Sequence, residues 1–140
     1  MGMKFCSLSS GSSGNCQYIE TDRMKVLIDG GLSGKRIENL LSSIDVSLKD
    51  IDCILVTHEH IDHVKGIGVI SRRYDIPIFA NEKTWTAMSK LIGPVENKNI
   101  RVIESDKSFQ LMDLGIHPFR ICHDAADPIG FCFYYKNFKI

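Results

Sequence analysis

His58-Glu59-His60-Ile61-Asp62-His63 gathers three of the chain's five histidines and a carboxylate into six residues. The stretch follows Ile51 to Thr57, a short run rich in β-branched residues that reads as a buried strand. If the chain leaves that strand extended, His58 and His60 point to one side and can grip one ion together. Asp62 and His63 come after a bend, where Val64 to Tyr74 takes up a helical pattern, so their direction differs and suits a second ion. Neutral imidazole and carboxylate are the ligands that zinc and its first-row neighbours prefer. Asp62 also gains from the dipole of a helix N-terminus. Histidines can decorate a solvated loop, but three with an interleaved aspartate directly after a buried strand favour a metal site. The His-Glu-x-x-His pattern of zinc proteases starts at His58-Glu59 and then needs a histidine at position 62, where Asp62 stands. Glu59 therefore has no such base role and reads as exposed.

Outward from this stretch, His123 ends the strand-like Ile121-Cys122-His123 and leads into Asp124-Ala125-Ala126-Asp127-Pro128. Strand ends that turn into loops are where sites are built, so His123 reads as a further ligand. His117 lies six residues earlier on the same strand parity, roughly 20 Å along an extended chain, and reads as an ordinary strand residue. Asp29 closes Met24 to Ile28 ahead of Gly30-Gly31, either as turn chemistry or as an acceptor fixing the tautomer of a ligand imidazole. The Ser/Gly run from Ser9 to Gly14 sits between strand-like Lys4–Leu8 and Cys16–Ile19. In isolation such a run reads as a linker or tag remnant; here a loop joining two strands, its N–H groups free to approach a ligand, fits better.

The remaining pattern is mixed. Ile37, Leu40, Leu41 and Ile44 make one apolar stripe on a helix over Lys35 to Ile44. Pro77 to Ala80 reads as a strand, and Asn81 as the cap of a helix running to Ile92, stopped by Gly93-Pro94. Strands then follow at Ile100–Ile103, Phe109–Leu111, Ile116–Cys122 and Gly130–Tyr135. With 140 residues this is one α/β (or α+β) domain of helices on a sheet. Equal counts of 17 basic and 17 acidic residues exclude a broad basic shell for nucleic acid, leaving Arg72-Arg73 and Lys136 to Lys139 as local clusters. No apolar run is long enough to span a membrane. Five widely spaced cysteines without a Cys-x-x-Cys pair read as reduced thiols, hence a cytoplasmic protein. Met1-Gly2 resembles a myristoylation start but meets Cys6 where that signal needs Ser or Thr, and Met3 suggests that Met1-Gly2 is a cloning remnant.

His58-x-His60-x-Asp62-His63 after a strand resembles the signature of the metallo-β-lactamase superfamily, and Leu27-Ile28-Asp29-Gly30-Gly31 resembles its second marker. Ser7 to Cys16 and His123 to Phe131 are similar to the WalJ/YycJ-like branch, hydrolases regarded as DNA exonucleases. That resemblance implies an αβ/βα sandwich with the site at one edge of two sheets, incomplete in this chain, which would be the N-terminal portion (residues 1–140) of a single domain. It implies that His58, His60 and His123 hold a first metal, that Asp62 and His63 hold a second, and that Asp29 supports them. Asp62 would also be catalytic, orienting the attacking water. Ser12, Asn15 and Asp127 are its candidate substrate-loop residues. Two divalent ions are expected in the complete enzyme, zinc first and manganese or iron next, and one or none here. The family's bridging aspartate and last histidine would fall after Ile140, so a truncated protein or fragment is expected.

The leading expectation is a metal-dependent phosphodiesterase acting on DNA. A thioester or lactam hydrolase of the same superfamily stands beside it. So does a metal-binding fragment without turnover that self-associates through its unpartnered half-fold.

Overall fold

Alternation sorts the strand residues between two cores. The computed structural model describes residues 2–136 and 138–140, so the reading of a Met1-Gly2 start falls on Met1, outside the described residues. Strands β1 (Lys4–Ser9), β2 (Cys16–Glu20) and β3 (Lys25–Ile28) pair antiparallel. Strands β4 (Cys53–Leu55), β5 (Ile78–Asn81) and β6 (Ile100–Ile103) extend that sheet in parallel, in sequence order. Crossovers carry helices α1 (Gly34–Ser42), α2 (Ile61–Val64), α3 (Ile67–Tyr74) and α4 (Glu82–Ile92). One face of the sheet, with Leu27, Ile54 and Ile78, packs against Ile37 and Leu41 of α1, Ile67 and Ile70 of α3, and Trp85 and Met88 of α4. The other face, with Val26, Ile28, Cys53, Leu55 and Phe79, packs against a second sheet.

That second sheet is an antiparallel meander of β7 (Phe109–Leu111), β8 (Leu114–Arg120), β9 (Ile129–Tyr135) and β10 (Phe138–Lys139). Leu114, Ile116, Ile129, Phe133 and Tyr135 turn inward. The layers are helices, mixed sheet and antiparallel sheet, three of the four in an αβ/βα sandwich. Tyr134 at 41% and Phe138 at 64% exposure mark the uncovered side and edge of the second sheet.

Several boundaries move for local reasons. The strand expected over Ile51 to Thr57 is regular only from Cys53 to Leu55, because Leu48–Asp50 coils into a 3₁₀ turn just before it. The helix expected over Val64 to Tyr74 is two helices broken at Lys65-Gly66. Gly66 presses on the α1 approach, where a Cβ would lie 2.1 Å from the Leu32 carbonyl oxygen, and its N–H donates to Gly30 O at 2.8 Å. Strand β8 starts two residues earlier than expected and ends at Arg120, since Ile121 N donates to Pro128 O and closes the neck of a loop. Asn81 does cap α4, its Oδ1 accepting from Thr84 N at 2.9 Å. All five cysteines are free thiols.

The segments after β3 and β4 and the β1–β2 loop are stitched backbone to backbone. Gly30 N donates to His63 O at 2.7 Å, and Asn15 N to Asp62 O at 2.7 Å. Gly31 sits so close that a Cβ would lie 1.7 Å from Asp62 O. A backbone overlap of that size cannot be relieved by a side-chain rotation. Gly31→Ala is expected to cost about 1–3 kcal/mol in urea denaturation through forced separation of the loops. A change under about 0.5 kcal/mol, the usual range of a surface substitution, would show that the loops are not locked together.

Candidate metal centre

Strand β4 gives way to Val56 and a bend at Thr57, and the chain then passes through His58 to His60, the extended N-cap of α2. His58 is buried at 6% exposure, His60 is half-buried, and His123 is exposed on the loop between β8 and β9. Their ligand atoms all lie within 4.8 Å of one another. The ring centroids form a triangle of 4.8 Å (His58–His60), 4.7 Å (His58–His123) and 5.1 Å (His60–His123). The first sheet supplies two corners and the second sheet the third, and Ile129 N donating to Thr57 O at 3.0 Å joins the sheets at this point.

Asp62 and His63 stand next to this triangle. The His63 ring lies 3.9 Å from that of His58, and its Nε2 is 3.8 Å from Asp62 Oδ2. His63 Nδ1 meets Asp29 Oδ2 at 2.6 Å. Asp29 is buried and left-handed, with φ 63°, a conformation that Asp tolerates better than most residues. Its Oδ1 accepts from Thr57 N at 2.8 Å and its Oδ2 from Thr57 Oγ1 at 2.7 Å. A hydroxyl has one proton to give. With that proton on Asp29, Thr57 Oγ1 accepts from His58 Nδ1 at 3.0 Å. The same logic makes His63 Nδ1–H the donor to Asp29. In both rings Nε2 keeps its lone pair, as a metal ligand requires. Thr57 was not singled out by its sequence; its only signal is a hydroxyl at the end of an otherwise apolar strand.

The charge of His58 agrees with this assignment. Burial first, and then the neighbouring His63, push the His58 imidazole down to about 4 against the pull of Asp29, so it is neutral at pH 7. Burial pulls His63 down too, but the hydrogen bond and charge of Asp29 and the charge of Asp62 outweigh it, so its pKa is raised. Convergent imidazoles, one kept neutral, beside a half-exposed carboxylate are a donor set that fits a divalent cation.

The other expected residues are placed differently. Asn15 Nδ2 donates to Asp62 O at 3.1 Å and to Asp62 Oδ2 at 3.2 Å, so it holds Asp62. Ser12 lies exposed at the turn of the Ser/Gly loop. Much of that loop closes on itself: Gly14 N donates to Gly11 O, and Gly11 N to Asn15 Oδ1. Asp127 is engaged by Ser105 Oγ at 3.2 Å and Arg120 Nε at 3.6 Å, and its carbonyl accepts from Asn81 Nδ2, so it braces the His123 loop from behind. Glu59 corrects its exposed reading: it is half-buried, and its Oε2 accepts from Ala126 N at 3.0 Å. Arg72 donates to the carbonyls of Ile92 and Pro94, so its guanidinium is structural rather than a loose phosphate contact. His117, on β8, pairs with Ser108, the residue before β7, and does not join the triangle.

A helix-backed mixed sheet with imidazoles and carboxylates converging at its carboxyl edge, completed by a histidine from a second sheet, defines a sandwich protein with an edge metal centre. The metallo-β-lactamase superfamily model matches residues 10–138, and the chain belongs to that superfamily. It is 46% identical over 142 residues to exodeoxyribonuclease YycJ of Bacillus anthracis, a match covering 100% of this chain and 53% of that protein. It is also 46% identical over 130 residues to exodeoxyribonuclease WalJ of Streptococcus pneumoniae serotype 2, covering 91% of this chain and 48% of the relative. The chain thus spans about half the length of the curated relatives it matches. Among solved structures, Rm3 metallo-β-lactamase superposes with a TM-score of 0.77 at 18% identity, over 93% of this chain and 55% of that one, a likeness of fold alone.

Proposed function

We propose that this chain is the N-terminal portion of a single-domain, metal-dependent phosphodiesterase that degrades DNA as an exonuclease. The observation that carries the proposal is the His58–His60–His123 triangle with Asp62 and His63 beside it. The two 46% identical relatives bear the name exodeoxyribonuclease, which supports DNA as substrate over a thioester or lactam. His58, His60 and His123 hold a first divalent ion, zinc by donor chemistry, with manganese or iron as the other fits. Asp62 and His63 hold a second when the enzyme is complete. Such ions supply Lewis acidity and lower the pKa of water from about 16 toward ~7. Asp62 is the catalytic side chain, orienting the attacking water, and Asn15 holds it in place. Asp29 fixes the His63 tautomer, and Thr57 fixes that of His58. No helix among the described residues is long and apolar enough to cross a membrane, and the free thiols favour the cytoplasm.

Elemental analysis of the purified chain and of His58→Ala tests the site. The wild-type chain is expected to hold at least one zinc, manganese or iron per molecule and the variant at least tenfold less at equal free metal; equal contents refute the ligand assignment. The full-length parent, given end-labelled linear DNA, a thioester and a lactam in parallel, is expected to release nucleotides from DNA. Turnover of the small esters or lactams alone refutes the nuclease reading.

We further infer that the 140-residue chain self-associates through the second sheet, where Tyr134 and Phe138 stand exposed. Light scattering across a dilution series is expected to give a mass above 15.8 kDa. A constant single-chain mass contradicts it.

A further inference from the structure

Two turns carry the histidine triangle, and they belong to different sheets. His58 and His60 lie on the turn after β4, and His123 lies on the loop between β8 and β9. The His123 loop is closed at its neck by Ile121 N donating to Pro128 O, and within by Ala125 N donating to His123 O. From behind it is held by Asn81 Nδ2 on the Asp127 carbonyl. At its foot the loop is tied to the turn it must meet by Ile129 N donating to Thr57 O at 3.0 Å, but none of these bonds holds the 123–127 tip against that turn. Glu59, between the two ligands of that turn, does: its Oε2 accepts from the Ala126 N–H at 3.0 Å. The other oxygen, Oε1, is buried and has no hydrogen-bond partner among the described residues. A buried carboxylate oxygen without a donor is costly and needs a cause. The carboxylate sits there with its other oxygen, Oε2, on the Ala126 N–H.

We propose that Glu59 is a positioning residue that clamps the His123 loop onto the His58–His60 turn and so completes the metal triangle. The inference rests on the reading of His58, His60 and His123 as ligands. Glu59 touches neither metal nor substrate in this role; it acts through His123. Glu59 hydrogen-bonds no ligand ring, so its effect on metal affinity runs wholly through the placement of His123; a loss of about 10–100-fold, the range for removing direct supports of ligand side chains, is the expected effect.

Two readouts separate the clamp from a general loss of fold. The first is amide hydrogen exchange in the metal-free chain. The Ala126 amide lies on an exposed loop, so its protection comes from Glu59. Glu59→Ala is expected to speed exchange at Ala126 about tenfold or more while amides of β4 and β5 stay protected. Glu59→Gln keeps an acceptor oxygen and is expected to leave Ala126 near its wild-type rate. The second readout is cobalt(II) titration followed by visible absorption. Glu59→Ala is expected to weaken cobalt binding about 10–100-fold and to lower the intensity of the ligand-field bands, with Glu59→Gln restoring both. In a His123→Ala background, Glu59→Ala is expected to add no further loss. Unchanged exchange at Ala126 in Glu59→Ala overturns the proposal. So does an equal loss of cobalt affinity with and without His123. A wild-type chain that binds no cobalt, while Glu59→Ala still frees Ala126, overturns instead the ligand reading on which the proposal's effect on affinity depends.

Discussion

The Asp29 carboxylate, buried at the end of β3, is the interaction on which the site depends. It accepts from the backbone and hydroxyl of Thr57 and pairs with His63. Holding a non-glycine residue at φ 63° costs on the order of 1–3 kcal/mol. Hydrogen bonds to a charged acceptor contribute about 1.5–3 kcal/mol each, so three of them outweigh the strain. Through Thr57 the same carboxylate sets the tautomer of His58, and directly it sets that of His63. One side chain thereby aims the Nε2 lone pairs of two rings.

The fold serves this arrangement by bringing three loop ends to one edge. Parallel pairing of β3 and β4 places Asp29 beside Thr57. The glycines at 30 and 31 let the loop after β3 press against the backbone of Asp62 and His63. The second sheet packs its inner face on the first and delivers His123 from the far side. The triangle is therefore long-range: His123 is far from His58 in sequence and reaches it only when both sheets are packed.

Much of this was legible in the sequence, and the failures have physical reasons. The period-2 and period-3.6 patterns gave the strands and helices near their observed bounds, because apolar positions in this chain face a core on both sides of the first sheet. The Asn81 cap was readable because Asn at the junction of a strand and a helix has a local role. The break at Gly66 was not, since it answers to the distant Leu32 carbonyl. The histidines of the triangle stood out by density and position. Thr57 and Glu59 did not, because each acts through a partner far along the chain, Asp29 and Ala126. Asn15 was read as a substrate-loop residue, whereas its Nδ2 donates to Asp62. Asp127 looked like part of the site by proximity to His123, yet its side chain turns to Ser105 and Arg120.

The most direct test of the metal centre is anomalous diffraction at the zinc edge from crystals grown with zinc. The expected map has a peak bonded to nitrogens of His58, His60 and His123 at about 2.0–2.1 Å. A pocket without a peak, or a peak held by surface residues while these three rings point apart, would contradict the metal centre on which the whole functional reading stands.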